Sequence, residues 1–299
     1  MLESSPTTWC SDWEAICRPD APLREHTWYR LGGPARWLLA PRDEHELAAI
    51  LARCRESEIP VRILGHGANL LVRDEGVNGA VIVLRGPAFE YAEFSADRIV
   101  AAAGADFPLL VKRACSRGLS GLELLAGIPG SLGGIIRMNA GGRHGEIAAA
   151  VDRVRFIDRE GVFRESAARE IGFRYRHTNL DGCVIVGATL RAGRGAPEEL
   201  LTRFREIWSE KYATQPAVSE RSAGCIFKNP PGHSAGALVD RAGLKGRRAG
   251  AAEISRKHAN FIVAHDGAQA ADVVKLIELA QEEVWRQFSI RLETEVEIW

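Results

Sequence analysis
The sequence predicts an α+β protein, and three observations carry that prediction. Short apolar runs at residues 61–64, 80–84, 99–103 and 184–190 read as strands, and only a few helical stretches separate them, without a repeated βαβ rhythm. A hydrophobic content of 46% with 26% charged residues is that of a globular chain with a full core. Glycine is concentrated in one apolar segment, GLELLAGIPGSLGGIIRMNAGGRHGE at 121–146, which with Gly118 holds nine glycines.

In chain order, residues 1–20 read as a loosely attached extension, and Gly32-Gly33-Pro34 breaks a short apolar strand pair. Residues 43–58 form a helix, with Leu47, Ile50, Leu51 and Cys54 on one face and Pro60 ending it, before a buried strand at 61–64. A helix at 106–117 stops at Gly118, and 151–158 with 162–165 make a hairpin across Arg159-Glu160-Gly161. The stretch 192–199 reads as a domain boundary. Pro197 opens a helix to Lys211 that places Leu200, Leu201, Phe204, Ile207 and Trp208 inside. A strand at 261–264, a long amphipathic helix at 270–288 and a closing strand, LETEVEIW, complete the chain.

Composition narrows the function. Acidic and basic residues number 39 each, so net charge recruits neither nucleic acid nor a membrane surface. No run reaches the ~18 apolar residues of a membrane span. The N-terminus is acidic and broken by Pro6, unlike a signal peptide, so the cytoplasm is the expected compartment. Six cysteines form no C-x-x-C pair and no zinc spacing, and no metal is expected. Cys54 and Cys115 fall on apolar helix faces and read as core.

Two glycine segments carry the chemistry. After the strand at 61–64 comes GHGANLLV (65–72), a turn whose amides can form an anion-binding nest. It is not the dinucleotide fingerprint, because no helix with a ribose-binding acid follows. The segment 121–146 fits either a backbone wrapped around an anion or flat cofactor, or tight helix–strand packing. Between Lys211 and Lys257 lie nine basic residues against Glu220, Asp240 and Glu253. That run is either a solvated face or a pocket for a nucleotide diphosphate.

Together these residues resemble the UDP-N-acetylenolpyruvoylglucosamine reductase family. GHGANLL is similar to its G-G-G-S-N-L-L turn, and LSGLELLAGIPGSLGGIIRMNAGGRHGEI to its second flavin loop. FRYRHTNL (173–180) resembles its Y-R-x-S site, and SAGCIFKNP (222–230) its A-G-S-x-F-K-N-P motif. ISRKHANFIV and LETEVEIW resemble its closing segments, and the likeness runs from about Arg24 to the C-terminus. The flavin loops alone indicate only the wider vanillyl-alcohol-oxidase class of FAD folds.

The resemblance implies an extension (1–20), two FAD-binding subdomains of that class (21–95 and 96–197) and an α+β substrate domain (198–299). It implies FAD as cofactor, NADPH as reductant, a UDP-sugar substrate and a monomer. NADPH reduces the flavin and leaves, and the substrate's enolpyruvyl ether is then reduced to the lactyl ether of UDP-N-acetylmuramate. The implied FAD contacts are Arg30; Gly65, His66, Gly67, Ala68, Asn69 and Leu70; Gly127, Ile128, Pro129, Gly130, Ser131, Gly133 and Gly134; and Asn139, Gly141, Gly145 and Ile147. The implied substrate contacts are Tyr175, Lys211, Lys228, Asn229 and His258.

Charge left on the substrate's enolic form needs donors and then a proton. Arg176 matches the family's catalytic arginine, whose fork suits a carboxylate, and Glu295 matches the closing-strand glutamate. Cys225 stands where the family usually has the serine proton donor; a thiol of pKa ~8.5 is the stronger acid, and it is expected to serve as donor. Ala68 and Thr178 each replace a family serine, Lys211 replaces an arginine, and the chain after Pro230 fits the shorter subtype without the tyrosine loop. Two other readings were weighed: an oxygen-using flavin oxidase of the wider class, which would lack the A-G-C-x-F-K-N-P motif, and a non-catalytic flavin- or nucleotide-binding module, which would not need Arg176, Cys225 and Glu295 together.

Overall fold
The structure is a computed structural model that describes residues 9–217 and 219–299. Its described part divides into two compact units. The first comprises residues 9–19, Trp37–His66 and Gly79–Glu210; the second comprises Asp20–Arg36, Gly67–Asn78 and Lys211–Trp299.

In the first unit, strands Phe163–Ala167, Val151–Ile157, Val184–Arg191, Arg98–Ala102 and Ala92–Phe94 form a five-stranded sheet in that order, every pairing antiparallel. The expected hairpin is therefore present, closed by Asp158, whose carboxylate accepts the N–H of Val162 at 2.8 Å. Strand Val61–Leu64 pairs in parallel with Ala80–Val83. Only Leu64 of that strand is buried, so it is half-exposed where a buried one was expected. Helix Glu44–Glu56 is capped by Asp43, which accepts the Glu46 N–H at 2.8 Å, and it buries Leu47, Ile50 and Cys54.

Asp106 caps helix Phe107–Cys115 in the same way through the Leu109 N–H. Residues 1–8 of the expected loose extension lie outside the described residues. Residues 9–20 are packed instead: Cys10 and Cys17 are buried, and the Trp9 and Trp37 rings lie 4.7 Å apart. Trp208 corrects the reading of helix Pro197–Thr214. That helix buries Leu200 and Ile207, while Trp208 is exposed and leans on Phe204 at 5.8 Å.

The second unit is built on helix Ala270–Phe288, found where the 3.6-residue period placed it, with Val273, Leu276, Ile277, Ala280 and Val284 buried. Its first amides are held by Asp74, whose two carboxylate oxygens accept the Ala270 and Ala271 N–H groups, each at 2.9 Å. A three-stranded antiparallel sheet runs Arg248–Ala249, Ala252–Ile254, Ile262–Ala264. The closing strand is broken into pieces: Glu297–Ile298 pairs in parallel with Leu70–Leu71, and Thr294 makes an isolated antiparallel bridge to Phe227. Gly32 and Gly33 likewise precede a single strand, Pro34–Leu39, rather than breaking a strand pair.

Candidate active site
Within the first unit the glycine segment is built on the helix and strand ends beside it. Glu123, 9% exposed, turns its carboxylate back to accept the Gly121 N–H at 2.6 Å. Helix Leu132–Arg137 then starts against the end of strand Arg98–Ala102, with the Leu132 and Gly133 amides donating to Ala105 and Ala103 carbonyls. Gly133 is a packing glycine, since a Cβ there would lie 2.9 Å from the Ala103 Cβ. Gly65 meets the same place, because its Cβ would come 2.2 Å from Ser131 Oγ. His66 Nδ1 lies 3.7 Å from the Asp106 carboxylate.

Gly121 (φ +110°), Gly142 and Gly145 (φ +149°) are different, because a Cβ at each would meet nothing within 4 Å. Bare backbone presented to open space is what a flat ring or a phosphate needs for close approach, so these residues fit FAD. Gly127 and Gly130 are also left-handed, at φ +71° and +129°. The packing reading of the segment therefore applies at Gly133, while Gly121, Gly142 and Gly145 leave room for the cofactor reading. Of the other expected flavin contacts here, Ser131, Asn139 and Ile147 are buried, and Ile128 packs on the core from its edge.

Arg176 sits at the tip of a tight turn. Arg174 and His177 exchange backbone hydrogen bonds of 2.9 and 3.1 Å, leaving Tyr175 and Arg176 between them, with Arg176 at φ +54°. A left-handed non-glycine residue costs roughly 1 kcal/mol and persists only when its surroundings hold it. Here Nη2 donates to the Gly141 carbonyl at 2.9 Å, Nη1 lies 3.9 Å from Glu146 Oε1, and the guanidinium stacks over Tyr175 at 4.8 Å. Asn139, 1% exposed, ties the turn to the glycine segment. Its Nδ2 donates to Glu146 Oε2 (2.8 Å) and to the Arg174 carbonyl (3.0 Å), and its Oδ1 accepts the Ala148 N–H (3.2 Å). Thr178 adds a bond from Oγ1 to the Arg137 carbonyl at 3.0 Å.

In the second unit, Asn69 Nδ2 donates to the Glu295 carbonyl at 2.9 Å, and the Glu297 amide donates to the Asn69 carbonyl at 3.1 Å. Gly67 (φ +63°), Ala68 and Asn69 are thus stitched to the closing segment, with Ala68 and Leu70 buried. The Glu295 amide in turn donates to the Ile226 carbonyl at 2.7 Å, which sets Glu295 beside the backbone of half-buried Cys225. Asn260 clamps that backbone: Oδ1 accepts the Phe227 N–H at 2.9 Å, and Nδ2 donates to the Phe227 carbonyl at 2.8 Å.

Lys228 Nζ lies 2.5 Å from Glu293, and Asn229 Oδ1 accepts the first amide of helix Ala235–Arg241 at 2.9 Å. The largely buried His258 accepts the Asn260 N–H at 3.2 Å; burial, helped by the Lys245 charge, lowers its pKa. Lys211 is half-buried, and Arg30 is exposed at φ +53°. Among the described residues, ion pairs of the basic run at 211–257 include Arg221–Asp266, Lys228–Glu293, Lys245–Asp240, and Arg248 and Arg256 with Glu253.

Residues 35–167 match the model of an FAD-binding domain, and residues 215–299 that of the UDP-N-acetylenolpyruvoylglucosamine reductase C-terminal domain. UDP-N-acetylenolpyruvoylglucosamine reductase 2 of Symbiobacterium thermophilum is 43% identical over 282 residues, covering 93% of this chain and 90% of that protein. The chain belongs to the UDP-N-acetylenolpyruvoylglucosamine reductase family. The reductase of Carboxydothermus hydrogenoformans is 40% identical over 280 residues, 93% of this chain and 92% of its own. The crystal structure of the Thermus caldophilus reductase superposes with a TM-score of 0.81 at 40% identity, covering 95% of this chain and 98% of that one. The resemblance read from the motifs and the fold expected from it, an FAD-binding domain followed by the reductase family's C-terminal domain, are confirmed.

Three residues that hold expected site residues or their neighbours within their own units were missed as such in the sequence. Glu146 and Asn260 were not singled out, and Asn139 was read only as a flavin contact. Asn260 gave a signal: an amide leading into the apolar run Phe261–Val263 must be hydrogen-bonded if buried. Glu146 gave none, because its partners Asn139 and Arg176 meet it only through the fold.

Proposed function
We propose that this chain reduces the enolpyruvyl ether of UDP-N-acetylglucosamine enolpyruvate to UDP-N-acetylmuramate, a precursor of peptidoglycan, with FAD as cofactor and NADPH as reductant. The observation that carries the reading is the presence of the reductase C-terminal domain on the same chain as the FAD-binding domain. An oxygen-using oxidase has no use for that C-terminal domain. The cytoplasm, a monomeric state and the lack of nucleic-acid or membrane partners belong to the same proposal. Among the described residues no helix is long and apolar enough to cross a membrane.

The residues divide the work. Gly65–Asn69 and the bare glycines of 121–146 would hold FAD. When bound and reduced by NADPH, it would supply the hydride that the vinyl carbon takes up. Arg176, preset by Gly141 and Glu146, takes the substrate carboxylate in its planar fork and stabilises the charge that develops there. Glu295 acts on the enolic form with it. The Cys225 thiol delivers the proton to the neighbouring carbon, and Lys211, Lys228, Asn229, His258 and Tyr175 seat the sugar nucleotide. Incubation with NADPH and the enolpyruvyl substrate should give a product heavier by one H₂, with one NADPH consumed per product and no need for oxygen. NADPH consumption that tracks oxygen rather than product would contradict the reading.

A further inference from the structure
The hairpin that presents Gly141 and Glu146 to Arg176 is anchored at its far end as well. Gly141–Gly142 and Gly145–Glu146 pair antiparallel, which leaves Arg143 and His144 as a two-residue tip. Both tip side chains reach one carboxylate on helix Pro197–Thr214. Arg143 Nη1 pairs with Glu210 Oε1, and His144 Nε2 lies 3.1 Å from Oε2. The hydrogen bond from His144, with the charge of Arg143 behind it, holds the Glu210 carboxyl below the usual carboxylate range against desolvation.

A hairpin made largely of glycine has high backbone entropy and few side chains with which to pack itself in place. Gly142 and Gly145 face open space, so the hairpin is fixed by what grips its base and its tip. The base contacts are the Gly141 carbonyl and the Glu146 carboxylate, both of which hold the Arg176 guanidinium. We propose that Glu210 is a positioning residue for the reaction: by gripping Arg143 and His144 it fixes the hairpin, and through Gly141 and Glu146 it fixes Arg176. This rests on the reading that Arg176 holds the substrate carboxylate. The side chains of Arg143 and Glu210 are 80% and 41% exposed, so the pair adds little to global stability, whereas a small displacement of a charge-holding group is felt directly in rate.

The test separates the two half-reactions anaerobically with FAD-loaded protein. In Glu210→Ala, flavin reoxidation by the enolpyruvyl substrate should slow about fivefold, with flavin reduction by NADPH and the thermal midpoint unchanged. Amide exchange across 141–146 should quicken in the same variant. The charge swap Arg143→Glu with Glu210→Arg should recover most of the lost rate. Adding Glu210→Ala to Arg176→Lys should produce no further loss, because the positioned group is already impaired. Wild-type reoxidation in Glu210→Ala, or equal slowing of both half-reactions with a lowered midpoint, would overturn the positioning role while leaving Arg176 in place. Wild-type reoxidation in Arg176→Lys and Arg176→Ala would remove the reading beneath it.

Discussion
On the proposed reading, a thiol at position 225 changes what the proton donor can do. A free thiol, ordinarily near pKa ~8.5, gives up a proton far more readily than an alcohol, and Cys225 is half-buried next to Ile226, whose carbonyl accepts the Glu295 amide. In Cys225→Ala, flavin reduction by NADPH should continue while substrate-driven reoxidation slows roughly 10²-fold or more; Cys225→Ser should retain measurable turnover. Unchanged reoxidation in the alanine variant would remove Cys225 from the chemistry. Arg176, Cys225 and Glu295 could be proposed from sequence because the motifs carry them. Their supports were not, because a buried amide such as Asn260 takes its partners from chain 33 residues away. Asn260→Ala strands both backbone groups of Phe227 and should cost about 2 kcal/mol in chemical denaturation, against almost nothing if water replaces the amide.

At the scale of elements, periodicity was read well wherever one face is buried. Helices Glu44–Glu56 and Ala270–Phe288 follow the 3.6-residue pattern closely. Trp208 broke it because an apolar stripe does not reveal how far the neighbouring chain covers it. The charge balance of the basic run at 211–257 was hidden for a related reason, since Asp266 and Glu293, which pair with two of its members, lie outside the window. The glycines of 121–146 separate by substitution. Gly133→Ala drives a methyl into Ala103 at 2.9 Å and should destabilise by about 1–3 kcal/mol. Gly142→Ala enters open space and should leave the melting midpoint of the flavin-free protein unchanged while weakening FAD binding. Equal effects of the two on stability would remove the distinction between packing and cofactor-facing glycines.

For the whole molecule, fold class was legible because strand and helix segments arrive without βαβ alternation. How the chain partitions was not, since the second unit recruits Asp20–Arg36 and Gly67–Asn78 from far upstream of Lys211. Burial also sets the alkaline limit of stability. It pushes the Cys115 thiol up to about 11 and the Cys54 thiol up to about 12, from an ordinary value of 9.0. The folded chain then keeps protons that the unfolded chain releases, so stability is full below about pH 9 and falls as pH rises toward 11 and 12. Cys115→Ala should flatten that decline in denaturation midpoints, and an unaltered slope would assign it to other groups.

The most direct measurement of the central claim is a single-turnover spectrum under anaerobic conditions. The purified protein should be yellow, NADPH should bleach it, and adding UDP-N-acetylglucosamine enolpyruvate should restore the colour as UDP-N-acetylmuramate forms. A colourless protein, or colour that returns only when oxygen is admitted, would contradict it.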